Sequence, residues 1–361
     1  MSSNFKPVPV AHPEPARAAG LYRLAIVGAG TLKGKEVAEV LGDRNFPSLD
    51  IKLLDDNDSL GQLESVGDEV SFIQSVHVRS EQFEKVDFTF FASDQECTRQ
   101  NWKKAHAAGS AIVDLSYALE DEPDAEVKSP WIQRQLGQLL TPELQPGPAV
   151  VAHPAAVVLA LLLLRLRKAG AVKRVVATVF EPASEHGQKG MDELHEQTVN
   201  LLSFQQLPKK VFDTQVAFNM VARYGEQSLP ALNTVEHRVL KHYQRIAGKD
   251  APLLSLLLLQ APIFHGHALT LHVEMEKPVE IDGVSKALAG EHVTITGLAE
   301  ESPSNVNAAG QGDVLVSIQP DTSLANGLWL WAASDNLRIA AATAVECAEN
   351  MAATRPIGKI Q

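Results

Sequence analysis

The stretch that decides the fold is Tyr22–Leu41, which reads YRLAIVGAGTLKGKEVAEVL. It contains a short apolar strand, a glycine-rich turn and a helix-compatible segment, and a dinucleotide pyrophosphate site requires this order. The glycine spacing, G-x-G-x-x-x-G, is one residue longer than the usual fingerprint. A G-x-G after a strand is also typical of an ordinary tight turn. The residues predicted to bind a dinucleotide here are Gly28, Gly30, Thr31, Leu32 and Gly34.

The second predicted strand, Asp50–Leu54, runs into an acidic turn. An acid at this point can accept a hydrogen bond from a ribose 2′-hydroxyl, and we assign this contact to Asp55. Asp55, Asp56 and Asp58 together would repel the 2′-phosphate of NADP. The sequence therefore fits NAD or NADP as cofactor and favours NAD if either binds. A solvated acidic turn without a ligand is the alternative interpretation.

Strands and helices alternate through the first half of the chain. Strands are predicted at Val86–Phe91 and Ala111–Leu115, with a helix at Gln100–Ala108 between them. This alternation is typical of a parallel sheet covered by helices on both faces. The alanine-rich segment Asn336–Ala352 is predicted to be a helix that packs back on the same unit. We therefore predict an N-terminal Rossmann domain of the α/β class.

The second half of the chain has more strands than crossover helices. Strands are predicted at Val172–Phe180, Ser255–Gln260 and Ala268–Glu276, and helices at Lys189–Phe204 and Val235–Ile246. This pattern predicts an α+β domain with a mixed or antiparallel sheet. The predicted limits are 1–20 for an N-terminal arm, 21–151 plus 333–361 for the Rossmann domain, and 152–332 for the second domain.

The segment Pro148–Leu164 is predicted to be a buried strand, a turn at Pro154 and a buried helix. The ten apolar residues after Pro154 are too few to cross a bilayer. A helix N-terminus suits an anion or a thiolate nucleophile, because its N–H groups are free and its dipole end is positive. The first turn supplies only Ala155, Ala156 and Val157, so it offers no reactive side chain.

Composition and charge restrict the class of protein. With 361 residues and 45% hydrophobic content, the chain is long enough for two domains. A net charge of -12 makes nucleic acid an unexpected partner, since phosphate binding needs a basic face. Cys97 and Cys347 match no metal or disulfide pattern, and residues 2–20 lack the apolar core of a secretory signal. We therefore expect a cytoplasmic protein without membrane contact.

Five segments together make the chain similar to the aspartate-semialdehyde dehydrogenases. They are Gly28–Gly34, Gly109–Asp114, Gly190–Thr198, Phe264–His267 and Ser334–Arg338. The resemblance covers nearly everything after residue 21. It implies a homodimer, with a Rossmann domain and a C-terminal domain that binds substrate and forms the dimer interface. It also implies reversible conversion of aspartate semialdehyde, phosphate and NADP to aspartyl phosphate and NADPH in amino-acid biosynthesis.

The resemblance fails at the positions that carry the family's chemistry. Its catalytic positions fall on Ala156 in place of a nucleophilic Cys, Glu181 in place of a Gln, Gln260 in place of the substrate-carboxylate Arg, and His267, which is retained. The family's phosphate-binding Arg falls on Glu120 and its phosphate-binding Lys on Arg238. The Gly-Gly beside the cofactor falls on Asp94–Gln95.

These substitutions remove groups that the family's reaction needs. Acyl transfer through a thioester needs a thiolate, which alanine does not provide. Carboxylate and phosphate need cationic partners, whereas Gln260 is neutral and Glu120 repels anions. We interpret the chain as a non-catalytic paralogue, similar to Usg-type proteins, that acts as a dinucleotide-binding or assembly protein. The alternative is an oxidoreductase that acts on an aldehyde with NAD(P) in amino-acid biosynthesis.

Different chemistry in the same cleft would depend on histidines and acids that the fold brings there. They are His153, Glu181, Glu185, His186 and His267, a set that could bind a divalent metal. No local spacing such as H-x-x-x-H supports a metal site, so the sequence predicts none. His267 is predicted to persist as a structural histidine, with residual acid–base work as the alternative. Cys97 has no base beside it and is not expected to replace the nucleophile.

Overall fold

The computed structural model describes residues 21–56, 60–66, 69–77, 80–141, 146–228, 231–249, 251–297 and 299–354. The predicted arm at residues 1–20, Asp58 and the end of the tail at residues 355–361 lie outside the described residues. The α-helices are α1 (Leu32–Asp43), α2 (Gln95–Ala107), α3 (Pro130–Gln135), α4 (Pro154–Leu166), α5 (Gly187–Leu202), α6 (Leu232–Ala247), α7 (Ile281–Leu288), α8 (Asn305–Ala308) and α9 (Asn336–Thr354).

A seven-stranded parallel sheet organises the N-terminal half, as predicted. The strands of this half are β1 (Tyr22–Val27), β2 (Ser48–Asp55), β3 (Leu63–Val66), β4 (Glu69–Phe72), β5 (Gln74–Ser75), β6 (Phe88–Phe91), β7 (Ala111–Asp114), β8 (Glu126–Lys128) and β9 (Ala149–Val151). The sheet order is β5-β2-β1-β6-β7-β9-β8, while β3 and β4 form a separate antiparallel pair. Helices α1 and α9 share an apolar core on one face, and α2 packs on the other.

A six-stranded mixed sheet organises the C-terminal half, which confirms the predicted second architecture. Its strands are β10 (Val172–Glu181), β11 (Leu254–Gln260), β12 (His267–Met275), β13 (Val293–Ile295), β14 (Val314–Pro320) and β15 (Gly327–Ser334). They lie in the order β11-β10-β12-β15-β14-β13. Parallel pairs form at β10–β11 and β13–β14, and the remaining neighbours are antiparallel.

The two faces of this second sheet differ because residues alternate along each strand. On one face, Val175, Ala177 and Val179 join α4, α6 and α7 in a closed core. On the other face, Val176, Leu257 and Trp329 are exposed in the single chain. Exposed apolar side chains in one plane are typical of a surface that another protein covers.

Helix α4 connects the two halves and positions the site. It follows β9 of the first sheet after two residues, and its thirteen residues are all buried in the core of the second half. Its N-terminus therefore lies where the carboxyl edge of the first sheet meets the second domain. Among the described residues, no helix combines the length and apolar character needed to cross a membrane.

Candidate functional site

The glycine turn between β1 and α1 has the tight geometry that the sequence predicts. Gly28 has a positive φ of 84°, and a Cβ there would lie 2.4 Å from the backbone nitrogen of Ser93. A Cβ on Gly34 would lie 2.1 Å from the carbonyl oxygen of Gly28. Thr31 caps α1, because its Oγ1 accepts a hydrogen bond from Gly34 N at 3.0 Å. Close packing of strand against helix thus excludes side chains at two of the predicted cofactor positions.

Asp55 at the end of β2 is turned toward this glycine turn. Its side chain is fully buried, and its carboxylate accepts hydrogen bonds from Gly30 N at 3.0 Å and Asp56 N at 2.8 Å. The Asp55 carboxylate therefore already accepts a hydrogen bond from Gly30 N, a backbone donor of the turn predicted to bind pyrophosphate. Ribose binding by Asp55 stays a prediction, and Asp56 is the exposed acid at this strand end.

Asp94 and Gln95, which the resemblance places at the family's Gly-Gly beside the cofactor, both bind groups of the chain itself. Asp94 caps α2 by accepting a hydrogen bond from Cys97 N at 2.9 Å. Gln95 donates its side-chain amide to the carbonyl oxygen of Ser116 at 3.2 Å. The two side chains thus contact the protein itself at the edge of the sheet. Leu32, the remaining predicted cofactor residue, is half-buried at the start of α1.

Ala156 lies in the first turn of α4 and is fully buried. His153 caps this helix, since its Nδ1 accepts a hydrogen bond from Ala155 N at 3.3 Å. The chain's two cysteines lie on other helices, Cys97 on α2 and Cys347 on α9, and both are buried. Burial raises the pKa of each thiol to about 12, so neither is a thiolate at neutral pH. The helix N-terminus is present as predicted, and the position where the resemblance expects a nucleophile holds an alanine.

The retained His267 is paired with the substituted Glu181. Nε2 of His267 lies 3.0 Å from Oε2 of Glu181, and neither side chain has any exposed surface. Burial alone lowers the pKa of His267, but the hydrogen bond and charge of Glu181 outweigh it, so the net pKa is raised. A histidine held in this way is a poor base for a substrate, because its proton is already shared with the neighbouring carboxylate.

Gln260 is bound to the chain through both ends of its amide. Its Nε2 donates to the carbonyl oxygens of Glu181 at 3.0 Å and Ala261 at 2.8 Å. Its Oε1 accepts from the hydroxyl of Tyr224 at 2.6 Å. The residue is fully buried. Gln260, which the resemblance places at the substrate-carboxylate position, is therefore held by neutral hydrogen bonds to the chain, and both amide N–H groups are used.

Glu120 occupies the anion position that the resemblance assigns to phosphate. Its carboxylate accepts bonds from the Arg238 guanidinium at 3.2 to 3.3 Å and from His242 Nε2 at 3.1 Å. Nδ1 of His242 in turn accepts from His153 N at 2.9 Å. Partial burial raises the pKa of Glu120, but these donors outweigh it and lower the pKa to about 2. Arg238, the cationic residue predicted to bind phosphate, is thus paired with a carboxylate of the chain itself.

Tyr117 and Lys33 belong to the same cluster, and sequence reasoning assigned no role to either residue. Tyr117 has a positive φ of 63° and is largely buried, and its ring stacks on His153 with centroids 5.7 Å apart. Lys33 Nζ lies 4.6 Å and the Arg238 guanidinium 4.9 Å from that ring. The signal available for Lys33 was its place in the first turn of α1. No sequence motif marks Tyr117, because its positive φ and its stacking on His153 depend on tertiary packing.

The two halves of the chain match two family models. Residues 23–141 match the NAD binding domain of semialdehyde dehydrogenase, and residues 163–339 match the semialdehyde dehydrogenase dimerisation domain. The chain belongs to the semialdehyde dehydrogenase family. The expected family, its NAD-binding domain and its second domain are thereby confirmed.

Relatives in this semialdehyde dehydrogenase family carry two kinds of name. The chain is 30% identical to an aspartate-semialdehyde dehydrogenase of Rickettsia bellii over 92% of this chain and 98% of that protein. It is 31% identical to a USG-1 protein homolog of Pseudomonas aeruginosa over 88% of this chain and 94% of that protein. A solved probable aspartate-semialdehyde dehydrogenase from Pseudomonas aeruginosa is 28% identical, with a TM-score of 0.80 and coverage of 91% and 98%. Overall identity therefore does not separate the two kinds.

Proposed function

We propose that this member of the semialdehyde dehydrogenase family is non-catalytic and acts as a dimeric dinucleotide-binding or assembly protein. One observation supports this most strongly. Gln260 and Glu120, at the positions of the two anion clamps, bind the protein's own groups. Ala156, at the position of the nucleophile, has no reactive group. At the three positions that the resemblance assigns to the nucleophile and the two anion clamps, a semialdehyde and a phosphate would thus find no thiol and no unpaired cationic side chain.

The dinucleotide part of the proposal is supported by the glycine turn. Its strand, tight turn and helix follow the order expected of a pyrophosphate site, and residues 23–141 match an NAD binding domain, although Gly30 N donates to Asp55 in the single chain. The assay is calorimetric titration with NAD and NADP, together with measurement of dehydrogenase activity on aspartate semialdehyde and phosphate. We expect dinucleotide binding without turnover. Turnover above background with either cofactor would exclude a non-catalytic protein.

The dimeric state is supported by the exposed face of the second sheet. Val176, His272 and Trp329 lie in register across β10, β12 and β15 on that face. Apolar and aromatic side chains in such a row are typical of an obligate interface. Light scattering at micromolar concentration should give twice the chain mass of 39.0 kDa. A single-chain mass would contradict this part of the proposal.

An oxidoreductase that acts on an aldehyde with NAD(P) remains the second candidate function. The retained His267 and the matching NAD binding domain favour it. An enzyme of this kind would need a mechanism without a cysteine at position 156. The same activity assay, repeated with other aldehydes, distinguishes this candidate from a non-catalytic protein. Reduction of NAD or NADP by any aldehyde, lost in His267→Asn, would support this candidate over the first.

A further inference from the structure

Three side chains from separate parts of the fold direct ligand atoms into one space. His153 caps α4, Glu181 ends β10, and Glu185 lies in the short turn after β10. One ligand atom from each lies within 4.8 Å of the other two. We propose that this cluster binds a divalent transition metal of the Zn²⁺ class through an imidazole nitrogen and two carboxylate oxygens. This goes beyond the proposed function, because a dinucleotide-binding or assembly protein needs no metal.

The carboxylates in the cluster carry oxygen atoms without close donors. Oε1 of Glu181 is buried and has no hydrogen-bond partner in the part of the chain that the structure describes. Oε2 of Glu185 lies 3.7 Å from Lys33 Nζ and 3.9 Å from His153 Nε2, both longer than a hydrogen bond. A buried carboxylate oxygen without a donor is unfavourable. A cation at this point would give the buried Glu181 oxygen a partner and would approach Glu185 Oε2 more closely than Lys33 does.

The opposite oxygen of each carboxylate is already held in place. Glu181 Oε2 pairs with His267 Nε2 at 3.0 Å, and Glu185 Oε1 accepts from Asn336 Nδ2 at 2.8 Å. Outer partners of this kind orient the ligands in metal sites and fix which oxygen faces the metal. His267 thus orients a ligand here and does not itself join the group. This accounts for its burial and its pairing without giving it a catalytic task.

The donor set decides the class of metal. One imidazole with two carboxylates suits Zn²⁺ or Mn²⁺, whereas Ca²⁺ and Mg²⁺ prefer shells of six or more oxygens. Three protein ligands leave the fourth position of a tetrahedral Zn²⁺ open. At metal–ligand distances of roughly 2.1 Å, tetrahedral ligand atoms lie roughly 3.4 Å apart, so the three side chains must close slightly on the ion.

Binding through His153 Nε2 places the ring proton on Nδ1. The Ala155 N–H now contacts Nδ1 at 3.3 Å, which is longer than the usual hydrogen bond and is readily lost. Lys33 is the cation that now lies nearest Glu185, and its side chain is 16% exposed. An arriving metal would move the Lys33 ammonium toward solvent. Lys33 and the metal therefore compete for the same carboxylate.

The competition gives two variants with opposite expected effects. Chelator-treated, refilled protein should hold one Zn²⁺ per chain after gel filtration, and titration should show far stronger binding of ZnCl₂ than of MgCl₂. Glu185→Gln should weaken Zn²⁺ binding by more than about 100-fold, since even outer partners change affinity by about 10- to 100-fold. Lys33→Met should tighten it by about tenfold, because a positive charge near the metal is removed.

Controls make each outcome decisive. His195→Ala removes an exposed histidine of α5 and should leave Zn²⁺ affinity unchanged. Melting curves establish whether Glu185→Gln folds. If it does not fold, the proposal is judged by the number of Zn²⁺ ions bound per native chain and by the Zn²⁺ affinity of Lys33→Met. The proposal is overturned if Zn²⁺ binds no better than Mg²⁺, if folded Glu185→Gln binds it equally well, if His195→Ala abolishes binding, or if Lys33→Met gives no gain.

Discussion

Two helix N-termini at the carboxyl edge of the first sheet, those of α1 and α4, differ in the side chains that surround them. At α1, the turn after β1 keeps its closely packed Gly28 and Gly34 and a threonine cap. At α4, the turn after β9 has a helix and a cap, and Ala156 lies at the position that the resemblance assigns to the nucleophile. Both present the positive end of a helix dipole, and at both ends side chains of the chain itself accept from backbone N–H groups. A helix N-terminus can therefore be present in this fold whether or not a reactive side chain lies beside it.

The largest expected effect is on the packing of the α1 turn. Gly34→Ala would place a Cβ 2.1 Å from the carbonyl oxygen of Gly28, which is backbone and has little freedom to move. The free energy of unfolding should fall by about 3–5 kcal/mol. Gly283→Ala in α7 is the control, since nothing lies within 4 Å of its Cβ. It should change stability by about 1 kcal/mol at most, in the favourable direction. Equal denaturant midpoints for the two variants would contradict the close packing.

The next effect concerns the filled anion position beside α4. Glu120→Ala removes the carboxylate that Arg238 and His242 contact, and Glu120 is only 14% exposed. Loss of a buried partner costs about 3–5 kcal/mol, so we expect about 2 kcal/mol for this partly exposed pair. Inorganic phosphate should then raise the melting temperature of the variant and leave the native protein unaffected. Asp121→Ala, which breaks the neighbouring exposed pair with Lys241, should show neither effect.

A phosphate-dependent melting temperature in the native protein would show that Glu120 does not occupy the anion position. The same result would weaken the contrast between the two helix N-termini, because α4 would then retain an open anion site.

The smallest effect is the choice of dinucleotide at the α1 turn. NAD should bind about tenfold more tightly than NADP, because the exposed Asp56 repels a 2′-phosphate while Asp55 is buried against Gly30. Asp56→Asn should narrow this difference. Calorimetric titration of both variants with both dinucleotides measures it. Tighter binding of NADP by the native protein would mean that the acidic strand end does not meet the ribose.

The sequence predicted the architecture because local patterns carry it. Alternating apolar strands and helices identify the parallel sheet, and the segment Pro148–Leu164 identifies α4 before any contact is known. The same patterns do not show which oxygen of a carboxylate meets which donor. The ribose contact assigned to Asp55 illustrates this, since its carboxylate is turned toward Gly30 in the same subunit.

The sequence analysis placed His153, Glu181 and Glu185 in one cleft, as the structure has them, but it did not predict the individual contacts within the site. Glu120 meets Arg238 and His242 from more than one hundred positions away, and only tertiary packing brings them together. His153, Glu181 and Glu185 have no metal-like spacing, so the sequence predicted no metal there. The family positions assigned to Ala156 and Gln260 stay predictions from the resemblance, and the hydrogen bonds of Gln260 could be found only in the structure.

Whether the missing thiol alone makes the protein inactive is tested by the turnover of Ala156→Cys with aspartate semialdehyde, phosphate and NADP or NAD. Removing a nucleophile from an acyl-transfer enzyme typically costs about six powers of ten in turnover. Restoring only the thiol leaves Gln260 and Glu120 bound to the protein, so we predict turnover at the native background. Added Gln260→Arg, Glu120→Arg and Glu181→Gln should be needed for a measurable increase. Turnover of roughly 1–100 per second in Ala156→Cys alone would contradict the account.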